Sequence, residues 1–168
     1  MHKNRIHAVV WVALMLAATA CGRKDDGAAI QNMIAKGAEL AEQHEIGDLM
    51  RLTAEGFKAT PGPHTAAQVR GILFAAFRHY GAFDIHYPRP TVTVDENGNS
   101  GSATLYLIIV SRGRAIPGLK ELYEDPRRWL QTASEKADLY KLELDLIKKK
   151  GDWRVRQATL DGFKGWGF

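Results

Sequence analysis

The sequence predicts an α+β domain: three N-terminal helices and an antiparallel sheet of about four main strands. Two observations predict it. Apolar residues recur at helical spacing from residue 28 to about residue 80, and from residue 83 onward the period changes to two. Helices first and a run of strands afterwards is the order of an α+β domain rather than of an alternating α/β one. The chain has 168 residues and one cysteine, so no internal disulfide staples it. The part beyond the N-terminal leader is long enough to build one core, and one domain, residues 28–160, is the natural count.

Each element follows from its own residues. Ile30, Met33, Ile34, Gly37 and Ala41 form the first helical stripe, with Asp25 and Asp26 ahead to favour its positive end. A short second helix runs from Ile46 to about Ala54 with Leu49, Met50 and Leu52. Phe57-Lys58-Ala59 is a short strand, broken by Pro61-Gly62-Pro63. Thr65-Ala66-Ala67-Gln68 is a capping-box pattern opening the third helix. Val69, Ile72, Leu73, Ala76, Phe77 and Tyr80 follow on one face until Gly81 stops it.

Residues 83–95 read as one long strand bent at Pro88 and Pro90, which cannot donate to a ladder. Residues 96–101 turn, and residues 102–112 return as a strand. In residues 136–148, Tyr140, Leu142, Leu144 and Leu146 face one way and Lys141, Glu143 and Asp145 the other. Gly151-Asp152 turns the chain, and Trp153 to Leu160 closes the sheet. Lys148-Lys149-Lys150 ahead of that turn reads as a solvated hairpin tip.

The N-terminus carries an address. Lys3 and Arg5 precede an uninterrupted apolar run over residues 8–18, and small residues follow up to Ala20. This is the charged, apolar and small-residue order of a secretory signal peptide, residues 1–20, too short for a permanent span of roughly 20 residues. Ala18-Thr19-Ala20-Cys21 resembles the lipobox of bacterial lipoproteins, although Ala18 stands where Leu, Val or Ile is usual. The resemblance implies lipid attachment at Cys21, with residues 21–27 as a tether. Cleavage after Ala20 without lipidation would instead leave a free thiol in an oxidising compartment. Gly22, where the resemblance would place Asp for inner-membrane retention, implies the outer membrane, facing the periplasm.

Removing residues 1–20 takes two of the 23 basic residues and none of the 19 acidic ones, leaving a net charge of +2. So small an excess is a poor case for a nucleic-acid partner, and none is expected.

The closing stretch ADLYKLELDLIKKKGDWRVRQATL, residues 137–160, is an alternating strand, a Lys/Gly/Asp turn and a Trp-Arg-Val strand. Together with three preceding helices it resembles the nuclear transport factor 2-like, or SnoaL-like, superfamily. The resemblance implies a cone whose sheet wraps the helices around a pocket. It implies little about activity, because that fold hosts isomerases, hydrolases, cyclases and binding modules.

Candidates for polar work in such a pocket are Asp84, His86, Tyr106, Arg112, Asp138 and Tyr140. Asp84 and His86 share one strand face, a spacing that fits an acid–base pair if they point inward and surface polarity if they point outward. The tyrosine-on-a-helix, aspartate-on-a-strand pattern of the isomerase-like members has no match in the first helix, and no catalytic residue is assigned. His44, His64, His79 and His86 lack the close pairing of zinc sites, and no glycine loop cradles a phosphate, so neither metal nor cofactor is expected.

Two segments are less generic. Residues 113–134 connect two strands where a tight hairpin would do, and carry helix signals at Pro117-Gly118 before LKELYE and at Asp125-Pro126 before RRWLQ. The tail, residues 161–168, sets Phe163, Trp166 and Phe168 among glycines. An apolar lining of Phe77, Tyr80 and Tyr140, with Trp129 at the mouth, predicts a module that binds a small apolar ligand or scaffolds a partner. A cofactor-free SnoaL-like enzyme is the alternative. The second apolar face of residues 103–110, bearing Tyr106, Ile108 and Val110, needs cover, which predicts either a homodimer through the sheet or residues 113–134 folded over it.

Overall fold

Helix α1 runs through residues 26–42 and buries Ile30, Ile34, Leu40 and Ala41, the stripe its spacing predicts plus Leu40. The computed structural model describes residues 26–113, 119–125, 128, 132 and 137–162, with backbone alone at 119, 122 and 123. The expectations for Cys21, Trp129 and the tail at 163–168 lie outside these residues.

His44, at positive φ, turns the chain into α2 (Ile46–Arg51). Strand β1 (Thr53–Thr60) and the two-residue β2 (His64–Thr65) lead to α3 (Ala66–Tyr80). The capping box is present as read: the Thr65 side chain accepts the Gln68 backbone N–H, and the Gln68 side chain accepts the Thr65 N–H at 2.8 Å. Gly81, at φ 63°, ends the helix by donating to the Phe77 carbonyl.

Among the described residues seven strands form one curved sheet, more than the four expected. The others are β3 (Phe83–His86), β4 (Thr91–Val94), β5 (Ser100–Ser111), β6 (Asp138–Lys149) and β7 (Asp152–Gly162). Their order is β2-β1-β7-β6-β5-β3, with β4 also on β5. The predicted single strand over 83–95 is two. β3 pairs with residues 108–111 of β5 and β4 with residues 101–104, and the Tyr87-Pro88-Arg89-Pro90 break lets the pair follow the curve of one long partner.

The sheet is mixed, not antiparallel. β1 runs parallel to β7, with Lys58 opposite Gln157 and Thr60 opposite Thr159. It is eight residues long where a short strand over 57–59 was expected, because Gly56, at φ 74°, sits where its register on β7 slips. That irregularity hides the period of two. A parallel pair needs a long crossover, and here the whole intervening chain supplies it.

The β6–β7 turn is Lys150-Gly151, both at positive φ, as a two-residue type I′ hairpin requires. Lys148 does not join a solvated tip. Its Nζ lies 2.6 Å from Asp26 Oδ1, which also accepts the Trp153 indole N–H at 3.1 Å. The Lys148 ammonium sits 5.8 Å from the centre of the Trp153 ring, so the hairpin clasps the start of α1. In the long connection, α4 (Leu119–Glu124) occupies the LKELYE signal, and Asp125 accepts the Arg128 N–H at 3.1 Å as an N-cap does.

Candidate functional site

The inner faces of the sheet and the three helices enclose a cavity of about 530 Å³. Its wall follows from small residues on one side and branched ones on the other. Helix α1 presents Gly37, Ala38 and Ala41, which leave room, while β5 and β6 present Leu105, Leu107, Leu142 and Leu144. Leu49, Met50 and Leu52 close it from the α2 side, and Val69, Ile72 and Leu73 from α3. Ile72 and Leu160 are about half exposed and form an apolar rim.

Among the described residues, four polar ones line this space: Thr53, Thr60, His64 and Tyr87. Thr53 Oγ1 already donates to the Met50 carbonyl at 2.8 Å, and the Thr60 and Thr159 hydroxyls share a hydrogen bond at 2.6 Å. Among the described residues, neither the His64 ring nor the Tyr87 hydroxyl has a hydrogen-bond partner. Burial, and secondly the charge of Glu42, raise the Tyr87 phenol above its ordinary pKa, so it stays a neutral donor. Glu42 itself is tied down by the Ile85 backbone N–H at 2.6 Å. Among the described residues, no carboxylate, lysine or arginine lines the cavity.

The predicted site residues fall elsewhere. Asp84 stands opposite Val110 and His86 opposite Ile108, whereas Phe83 and Ile85 stand opposite Ser111 and Ile109. Residues paired across a ladder share a face, so Asp84 and His86 project from the outer side of the sheet and Ile85 from the cavity side. Asp84 pairs with Arg112 at 3.2 Å, on the surface. No acid–base pair therefore forms inside the cone from Asp84 and His86. Tyr106 is on the same outer face and half exposed.

Phe77 is core, not lining. It packs with Phe83 and Ala41 in a cluster that borders the cavity through Ala41, and His44 stacks 5.0 Å from Phe77 and 5.3 Å from Phe83. Tyr80 and Tyr140 lie on the inner side but beyond the lining. The Tyr80 hydroxyl donates to Asp138 Oδ2 at 2.6 Å and lies 3.0 Å from the Tyr140 hydroxyl. Burial first, then the bonds to Asp138 and Tyr140, push the Tyr80 phenol far above its ordinary value. Three candidates thus meet in one cluster, while Asp84, His86, Tyr106 and Arg112 belong to the outside. Sequence reasoning missed Tyr87 and His64. The signal for Tyr87 was available, since Phe83, Ile85 and Tyr87 continue one alternation.

The outer face is divided. Ile108, Val110 and Leu139 are almost fully buried within a single chain, whereas Tyr106 stands beside the Lys141–Glu143 pair, 2.6 Å apart.

No protein-family model and no curated protein matches the sequence. Solved structures do match. A nuclear transport factor 2-like protein with a cystatin-like fold from Novosphingobium aromaticivorans is 15% identical, with a TM-score of 0.64 and 92% of each chain covered. A candidate scytalone dehydratase from the same organism is 12% identical, with a TM-score of 0.64, covering 86% of this chain and 89% of that one. ActVI-ORFA from Streptomyces coelicolor is 12% identical, with a TM-score of 0.59, covering 80% and 95%. At such identities the likeness concerns architecture: the chain has the nuclear transport factor 2-like, SnoaL-like fold.

Proposed function

We propose, on the premise of this nuclear transport factor 2-like frame, that the protein is an envelope lipoprotein whose cone holds a small apolar molecule without transforming it. The lining carries the proposal: an apolar chamber with two unengaged polar groups, His64 and Tyr87, suits holding and orienting a ligand. Among the described residues the lining offers only His64 and Tyr87 as titratable groups, with no carboxylate beside them to act as a base.

Magnitudes set the ligand's size. Burying one aromatic ring's surface, about 150 Å² at about 25 cal/mol per Å², stabilises a complex by roughly 4 kcal/mol before ordering costs. A single ring therefore binds weakly, and a ligand of two or three fused rings or a long acyl fragment makes fuller use of the volume. The mature chain with Cys21→Ser should take up diphenylhexatriene with a rise in its fluorescence. Leu107→Trp, which fills the cavity, should remove that rise while the protein still melts cooperatively. A wild-type protein that gives no rise, or a filled variant that keeps it, defeats the reading.

The enzyme alternative is favoured by one observation, the presence of His64 and Tyr87, both unengaged among the described residues, in the lining of one apolar chamber. Turnover of an aromatic compound that His64→Gln abolishes without weakening binding would replace the binding reading with this one.

The address completes the proposal. Lipid on Cys21 leaves residues 22–25 between the anchor and the clasped Asp26, so the domain lies within about 17 Å of its membrane. Mass spectrometry should find a mature chain beginning at acylated Cys21, and an unmodified thiol there would refute lipidation. A homodimer through the outer sheet face is the weaker partner reading, because Ile108, Val110 and Leu139 on that face are already covered and only Tyr106 is half exposed.

A further inference from the structure

The cluster of Tyr80, Asp138 and Tyr140 is unused by the cavity itself, and its protons dictate what it can recognise. A phenol has one proton. Tyr80 gives its own to the Asp138 carboxylate across 2.6 Å, the shorter of its two contacts and the charge-assisted one. Its oxygen is then left to accept at 3.0 Å, so the Tyr140 hydroxyl donates to Tyr80. The chain of protons runs from Tyr140 through Tyr80 to Asp138, and every donor in it is spent. What remains is acceptor capacity: the second Asp138 oxygen, which has no partner among the described residues, and the lone pairs of Tyr140.

Position adds the second half. Tyr140 lies on the same strand face as Leu142, two residues away, and Leu142 lines the cavity. One strand repeat of about 7 Å separates the lining from the cluster. Tyr140 itself packs against the main core that surrounds the cavity.

We infer that Asp138 and Tyr140 form a hydrogen-bond-accepting subsite at the end of the cone, so that the ligand is an apolar body bearing a hydroxyl or amine donor and not a carboxylate. The inference rests on the cavity reading above and narrows its ligand class. A donor reaching Asp138 forms a charge-assisted bond, whereas an anion there meets a carboxylate and phenols whose protons are already donated.

The test compares three ligands of similar shape as displacers of diphenylhexatriene from the mature chain carrying Cys21→Ser. They are 2-naphthol, which donates; 2-methoxynaphthalene, which cannot; and 2-naphthoate, which is an anion. The expected order is 2-naphthol tighter than 2-methoxynaphthalene by about tenfold, with 2-naphthoate weakest. Asp138→Ala should cut that preference to within about twofold and leave diphenylhexatriene affinity unchanged. Asp138→Asn, which keeps the side chain's shape, should raise the affinity for 2-naphthoate, and it serves as the readout if the alanine variant fails to fold. Equal binding of naphthol and its ether by the wild type, or a preference that survives Asp138→Ala, overturns this inference and leaves the cavity reading intact. Failure of diphenylhexatriene to bind at all overturns both.

Discussion

A methyl group at Gly37 would meet Leu52 Cδ1 and Leu49 Cδ1 at 3.6 and 3.7 Å, ordinary contact distances. The glycine is therefore not forced by a clash, and it weakens an interior helical position. Gly37→Ala should raise stability by about 0.5–1 kcal/mol, read from chemical denaturation, and should shrink the ligand space slightly. Gly101 is the opposite case. A methyl there would fall 2.7 Å from the Thr93 carbonyl oxygen, a backbone atom of the paired strand. Gly101→Ala should cost about 1–3 kcal/mol by prising β4 from β5, and a neutral effect would contradict this account. Asp26 gives a pH signature. The hydrogen bond from Lys148 is the main cause that lowers its pKa, with the Trp153 bond adding to it and burial opposing it. The folded value lies below the unfolded one, so the stabilisation is complete above the ordinary carboxylate range and is lost as pH falls through the lowered value. Asp26→Asn should flatten the acid limb of a pH–stability curve, with a loss near neutrality on the order of 1 kcal/mol. At this scale the sequence was legible where alternation was read whole. Asp84 and His86 were correctly placed on one face. Which face was readable only by counting Phe83, Ile85 and Tyr87 as the apolar set.

Among the elements, α3 was the most legible because its start is written in side-chain chemistry rather than in tertiary contacts. Thr65 and Gln68 satisfy each other's backbone donors, and Thr65→Ala should destabilise the domain by about 1 kcal/mol without altering the cavity. A change in ligand affinity larger than the stability loss explains would show that the cap also positions the wall. Strand β6 was equally plain, since its Tyr140, Leu142, Leu144 and Leu146 alternate without a break and Leu146 ends fully buried. The expected strand over 83–95 failed at Tyr87-Pro88-Arg89-Pro90 for a reason beyond local propensity: two short strands share one twelve-residue partner. Strand β1 was the least legible. Glu55 and Gly56 are exposed within it, and it joins the rest of the sheet through β7, far along the chain.

Over the whole molecule, Leu146→Ala should be among the costliest single changes, at roughly 2–5 kcal/mol, because it empties a site at the centre of the main core. The parallel pairing of β1 with β7 has a different kind of consequence, one measured in time. Thr60 and Thr159 share a hydrogen bond although 99 residues separate them in the chain. Among the described residues, β2 and β1 reach the rest of the sheet only through β7, so one wall of the cone cannot close until residues 152–162 have been made. A chain emerging from synthesis therefore has β1 without its parallel partner until residues 152–162 have followed. Contacts so distant in sequence are slow to form. A chain stopped after Lys150 should remain open and protease-sensitive, and adding a separate peptide of residues 151–162 should restore protection.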